Sequence, residues 1–306
     1  MRKVFFTEEM RLTPFQRGPD RAGLKMADVT IVDRPEDADV ICGRTLSTIA
    51  PFLGLDRTFL IWTDEPAWCG VAEKSILDCA TNRVIHVSTA FNNEVYFTPL
   101  HHFPFAEVDR DAVLETLGAR PKFCSILATY RARFDRYVAG RNVDISEYRQ
   151  RLALHLHKAH GACDIFGRNW PAGIEVVEES RGTGWQDRKM EILVDYQFNI
   201  GCENTVVENY VTEKIWQSIL AGTVTVYFAR GTGVETVVKP GSYIDPADFA
   251  DAEALHEHMR GLSLARRIEI ARSALDDYEK VLSTYRPAQL RLLQTRRFEQ
   301  RLHEIC

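Results

Sequence analysis

Phe198-Asn-Ile-Gly-Cys-Glu-Asn-Thr-Val-Val-Glu-Asn-Tyr-Val-Thr-Glu-Lys-Ile-Trp216 reads as a buried strand, a turn and the start of a helix. Phe198, Ile200 and Cys202 alternate along the strand, and Glu203-Asn-Thr205 ends it at its carboxyl edge. The helix is expected over 210–221, with Val211, Ile215, Ser218 and Ile219 at helical spacing on its buried face. Gly222 closes it, and Thr223-Val-Thr-Val-Tyr-Phe228 resumes as a strand. In open α/β sheets, ligands bind at the carboxyl edge against the next helix N-terminus. Unpaired backbone N–H groups and the positive dipole end attract anions there. On this reading Tyr210, Glu213 and Lys214 stand at i, i+3 and i+4 in the first turn or so, close enough to share a ligand. Lys214 suits a phosphate; Glu213 suits sugar or ribose hydroxyls, or a developing cation.

Working outward, short apolar strands at 4–6, 29–32, 39–42, 59–62 and 84–87 form one series. Strands at 123–128, 163–166, 198–202, 224–228 and 243–245 form a second, with helices over 146–159, 186–195, 210–221 and 251–261. Strand–helix alternation predicts parallel sheets covered on both faces, so the fold class is α/β with two doubly wound, Rossmann-like domains facing a cleft. Gly118 and Pro121 in Leu117-Gly-Ala-Arg-Pro-Lys122 suggest the boundary. The expected parts are 1–118, 119–262 and a helical extension over 263–306 interrupted at Pro287.

The 306 residues suffice for two domains, and the net charge of -5 leaves no basic surplus for nucleic acid in general. The basic run at 291–301 reads as a solvated or interdomain face, with peripheral membrane association as the sharper alternative. No apolar run reaches membrane-span length, and the first residues do not read as a signal peptide. The 7 cysteines include no C-x-x-C pair, so reduced, buried thiols in a cytoplasmic protein are expected. His155-x-His157 and His256-x-His258 are poor bidentate pairs, since i and i+2 point apart on a helix. No protein-bound metal site is expected; a divalent cation would assist loosely at most.

Tyr196-Gln-Phe198, Cys202-Glu-Asn204, Tyr210-Val-Thr-Glu-Lys-Ile-Trp216, Leu220-Ala-Gly222, Pro240-Gly-Ser-Tyr-Ile-Asp245 and Asp248-Phe249 resemble, in order and spacing, the alpha-1,3-fucosyltransferase family, glycosyltransferase family 10. That resemblance implies a GT-B fold, GDP-L-fucose as donor, inversion at the anomeric carbon and no required cofactor. It further implies that the C-terminal domain binds the donor through Asn204, Tyr210, Glu213 and Lys214, and that the N-terminal domain takes a glycan acceptor. The family's arginine before the D-V-F-G strand corresponds best to Arg149, with Arg151 a close rival, ahead of Asp164-Ile-Phe-Gly167. Its guanidinium would hold phosphate bidentately.

Inverting transfer needs a base to take the acceptor proton, a task that a carboxylate facing the donor can perform. Glu65, in Thr63-Asp-Glu-Pro66 after the strand at 59–62, matches the family's catalytic glutamate; Asp64 is its neighbour. Gln197 replaces the usual lysine, and Gly201-Cys202 replaces an apolar–Phe pair, so the donor could differ. The absence of an anchor suggests a bacterial-type soluble member acting on lipopolysaccharide or another surface glycan. A transferase using another nucleotide sugar and a catalytically silent nucleotide- or glycan-binding protein remain the alternatives.

Overall fold

The computed structural model describes residues 1–7, 26, 28–63, 73–89, 103–132, 136–138, 140–179, 182 and 184–306; in the last helix the side chains of 287–291, 293 and 294 lie outside that set. The chain forms two compact units. One comprises Met1–His101 with Tyr285–Cys306, the other His102–Thr284.

In the first unit, strands β1 (Arg2–Phe6), β2 (Val29–Ile31), β3 (Val40–Gly43), β4 (Thr58–Thr63), β5 (Glu73–Asp78) and β6 (Arg83–Thr89) make one sheet in the order β2-β1-β3-β4-β6-β5. A short helix, α1 (Leu46–Ile49), follows β3. All neighbours are parallel except β5, which runs antiparallel to β6. Central β4 is buried from Phe59 to Thr63, as a strand covered on both faces must be. Its side chains alternate: Leu60 and Trp62 join one apolar cluster, Phe59 and Ile61 the other.

The second unit begins with α2 (Arg110–Thr116) and β7 (Lys122–Leu127). A two-stranded ribbon, β8 (Tyr137–Val138) and β9 (Arg141–Asn142), precedes α3 (Ser146–His160), β10 (Cys163–Phe166), β11 (Val176–Glu178) and α4 (Trp185–Leu193). Then come β12 (Tyr196–Ile200), α5 (Glu213–Leu220), β13 (Val224–Val226), α6 (Ala252–Gly261) and α7 (Leu264–Thr284). The sheet order is β11-β10-β7-β12-β13, all parallel. From β7 the chain winds outward one way to β11, then returns to start the other way at β12. The reversal point therefore lies between β7 and β12, where such sheets open a crevice for ligands. Gly222 ends α5 with φ +69°, and a Cβ there would approach Val113 Cγ1 to 2.2 Å.

Three expectations need correction. The segment 243–245 is no strand; Ile244 makes a single bridge to Val226. The units do not divide at 118, because the segment from Phe103 onward packs with α5 and α7. Phe103 stacks on Tyr278 (4.6 Å) and meets Trp216 edge-on (4.9 Å), while Arg110 pairs with Asp276 (2.6 Å). The helices after 262 form no separate part: α7 belongs to the second unit, and α8 (Pro287–Ile305) to the first. Asp277 of α7 accepts from Lys239 N (3.0 Å) and Ser242 Oγ (2.7 Å), tying α7 to the 239–244 loop. Phe298 of α8 packs edge-on to Trp62 (5.0 Å). Two arginines of the basic run are engaged within this unit: Arg297 and Arg301 pair with Glu304, and Arg301 Nε donates to Ser88 Oγ. Among the described residues no helix is long and apolar enough to cross a membrane.

Candidate functional site

Helix α5 starts later than its sequence period suggests. Asn209 takes a left-handed conformation (φ 63°) and its N–H donates to Thr232 O. Thr212 is extended (φ -103°, ψ -171°), and Glu213 is the first helical residue. Tyr210 is therefore buried ahead of the helix rather than in its first turn. The cause is a long-range contact. Glu203, fully buried just beyond β12, accepts from Thr212 N through Oε1 (2.7 Å). It thus satisfies a backbone donor that a local capping side chain would otherwise hold.

The same carboxylate organises the helix start. Thr212 Oγ1 lies 2.9 and 2.8 Å from its two oxygens, and Tyr227 OH donates to Oε1 at 3.4 Å. Lys214 Nζ donates to Glu203 Oε2 (2.9 Å) and Thr212 Oγ1 (2.7 Å), and lies 3.6 Å from Glu213 Oε1. Burial pulls the Lys214 ammonium down, but the charges of Glu203 and then Glu213 outweigh it and hold it above the ordinary lysine value. Lys214 is thus a fixed cation with its side chain still 20% exposed.

Above the β7–β12 reversal point lies a small cavity of about 10 Å³, lined by Ala128, Arg149, Lys189, Asn199, Gly201, Cys202 and Lys214 among others. Three cations from three helices meet there: Arg149 from α3, Lys189 from α4 and Lys214 from α5. Arg149 is buried, and Nη1 donates to Cys202 O (2.9 Å). Its Nε has no acceptor among the described residues. Burial lowers the Arg149 pKa, though a guanidinium starts high enough to keep its charge. Asn204 offers a complementary gap, its buried Oδ1 having no donor among the described residues. Beneath the cavity, Ser125 Oγ donates to Asn199 Oδ1 (3.1 Å), Asn199 Nδ2 to Ser218 Oγ (2.7 Å), and Ser218 Oγ to Lys214 O (2.9 Å). That chain locks α5 onto β12.

The structure thus brings together Arg149, Lys214, Glu213 and Asn204 near one strand edge. Arg151 is set apart: its side chain is 79% exposed and lies 3.6 Å from Glu147. Glu65 and Asp64 lie outside the described residues. Sequence reasoning missed Glu203 and Lys189 as site residues. Lys189 shares the i, i+3, i+4 buried face of Ile192 and Leu193, a spacing that signals an inward-pointing lysine. Both departures from the family pattern sit in defined contacts. Gln197 donates to Arg120 O (3.2 Å) and accepts from Arg267, while a Cβ on Gly201 would meet Thr225 Cγ2 at 3.0 Å.

Residues 137–269 match the C-terminal domain of glycosyltransferase family 10 (fucosyltransferase). An alpha-(1,4)-fucosyltransferase of Arabidopsis thaliana is 33% identical over 87 residues, 28% of this chain and 21% of that protein. Alpha-(1,3)-fucosyltransferase B of Drosophila melanogaster is 25% identical over 126 residues, 41% of this chain and 27% of that protein. The aligned stretches thus span less than a third of these relatives' length. A crystal structure of an alpha1,3-fucosyltransferase aligns with a TM-score of 0.50 and 16% identity over 93% of this chain and 91% of that one. That likeness shows the fold: α/β, of the GT-B type with Rossmann-like units.

Proposed function

Taking residues 137–269 as a family 10 fucosyltransferase C-terminal domain, we propose that the protein is an inverting glycosyltransferase that moves L-fucose from GDP-L-fucose to a hydroxyl of a glycan acceptor. The observation that carries this is the cavity at the sheet's reversal point. It is lined by Arg149, Lys189 and Lys214, and an orphaned donor at Arg149 Nε faces no acceptor among the described residues. A diphosphate supplies both the anionic charge and the acceptor.

In this reading the cations hold the pyrophosphate and stabilise the charge that grows on it as the sugar–phosphate bond breaks. GDP leaves as an anion, so no general acid is needed. Asn204 and Glu213 hold hydroxyls of the ribose or fucose, and Tyr210 lines the donor side. Glu65, directly after β4, takes the proton from the attacking hydroxyl. The acceptor class is a surface polysaccharide or lipopolysaccharide glycan, joined in an alpha-1,3-type linkage. The buried Cys42, Cys124, Cys163 and Cys202, all free thiols, support a reducing, cytoplasmic setting.

The test is transfer of labelled fucose from GDP-fucose to a panel of glycans, with the product anomer read by NMR. Transfer with inversion is expected. No transfer and no donor hydrolysis, together with tighter binding of another nucleotide sugar, would overturn the reading.

A further inference from the structure

Helix α3 ends where α6 begins, and their side chains converge on one atom. His155 Nε2 lies 3.0 Å and His160 Nε2 2.9 Å from Glu253 Oε2. The candidate ligand atoms of all three residues lie within 4.8 Å of one another, a grouping found outside the donor cavity. We propose that His155, His160 and Glu253 bind a divalent transition metal ion, zinc in the first place, which clamps the C-terminal end of α3 to the first turn of α6.

The donor set selects the ion class. Two imidazole nitrogens and one carboxylate oxygen suit Zn²⁺, Co²⁺ or Ni²⁺, whereas Mg²⁺ and Ca²⁺ favour oxygen ligands throughout. The distances fit as well. Metal–ligand bonds of about 2.0–2.2 Å in a tetrahedron put ligand atoms roughly 3.3–3.5 Å apart. The present 2.9 and 3.0 Å separations need open by only a few tenths of an ångström.

The ligands are held before any ion arrives. The His160 ring packs on His256 (centroids 3.9 Å apart), which is itself buried and edge-on to Phe123. Glu253 is placed by the α6 cap, where Asp251 Oδ1 accepts from Ala254 N (2.9 Å). Side-chain exposures of 37% for His155, 25% for His160 and 47% for Glu253 leave a path for the ion and room for water at the remaining position. His157, which the sequence pairs with His155, instead hydrogen-bonds Cys163 O through Nδ1 (2.9 Å) and takes no part. Because α3 also carries Arg149, an ion here would steady the far end of a helix that lines the donor cavity. The proposal itself does not rest on the fucosyl-transfer reading.

The experiment strips the full chain with EDTA, removes the chelator and titrates Co²⁺ while recording the visible spectrum, then competes with Zn²⁺. Expected are ligand-field bands in the 500–650 nm region that saturate at one equivalent and disappear on adding Zn²⁺. Isothermal titration of Zn²⁺ should give a low-micromolar Kd, weakened at least tenfold in each of His155→Ala, His160→Ala and Glu253→Gln. Circular dichroism of the variants confirms that they fold. Absence of the bands together with no Zn²⁺ heat below millimolar concentration would overturn the proposal. So would Zn²⁺ affinity unchanged from the parent in all three variants, since the ion would then bind elsewhere.

Discussion

Glu203 Oε2 and Lys214 Nζ are 2.9 Å apart, and the glutamate side of that pair is fully buried. The carboxylate also caps Thr212 N, so one side chain fixes both the start of α5 and the position of its cation. Glu203→Gln removes the charge while keeping the shape, leaving Lys214 without its main counter-ion. Breaking one partner of a buried pair costs about 3–5 kcal/mol, and the partial exposure of Lys214 sets the lower end here. Urea denaturation should register a loss of about 3 kcal/mol. Glu203→Gln combined with Lys214→Met should recover part of it.

Arg149 contributes a fork that lysine cannot copy. Arg149→Lys should weaken GDP binding by about tenfold to a hundredfold, the range for losing a charge-assisted hydrogen bond. Burial, which already lowers the arginine, would act harder on an amine of lower starting pKa. GDP affinity of the lysine variant should therefore fall as pH rises across the neutral range, while the parent stays flat. Calorimetry at several pH values checks this.

Lys189 should matter in proportion to ligand phosphate. Lys189→Met is expected to weaken GDP by at least about tenfold, GMP less, and guanosine hardly at all. Equal losses for all three ligands would point to a packing defect instead. Lys189→Arg should restore part of the GDP affinity.

Glu65→Gln should lower kcat by about a hundredfold to ten-thousandfold, the usual contribution of a general base. GDP affinity should be unchanged, since the donor contacts proposed here lie on the other unit. Near-normal transfer by this variant would remove Glu65 as the base and turn attention to Asp64.

His86 on β6 supplies a pH test of the first unit. Burial, and then the nearby Arg301 charge, hold its imidazole below the ordinary value. The folded state thus binds fewer protons than the unfolded one as acid is added. The stability linked to His86 is complete above about pH 6.5 and is lost as pH falls through the lower folded value. His86→Gln should accordingly show a smaller drop in melting temperature between pH 7.5 and 5.5 than the parent, measured in EDTA.

Much of this architecture is legible in the residues, for identifiable reasons. Unbroken apolar runs such as Phe59-Leu-Ile-Trp62 mark strands buried on both faces, and Gly161 and Gly222 mark helix ends where the backbone turns left-handed. Strand β5 escaped notice because it is an antiparallel edge strand whose Leu77 is 56% exposed, so it has no apolar run to read. The true start of α5 escaped because its cap comes from Glu203, a residue remote from any local capping pattern. Arg149 and Arg151 are two positions apart on one helix, and only burial separates them. Amphipathic periodicity identifies α7 and α8 as helices that cover something. It does not say which sheet each covers, and they cover different ones.

The return of α8 to the first unit has a consequence for how the molecule is made. Phe298 and Leu302 complete the apolar cluster that contains Val4, Val40, Leu60 and Trp62, although the whole of the other unit, residues 102–284, intervenes in the chain. On the ribosome, the 102–284 segment is a continuous string that can close its own core as soon as it has emerged. The first sheet, synthesised earlier, must wait with one greasy face uncovered until translation has run through α8. The unit begun before the 102–284 segment is thus closed only after it.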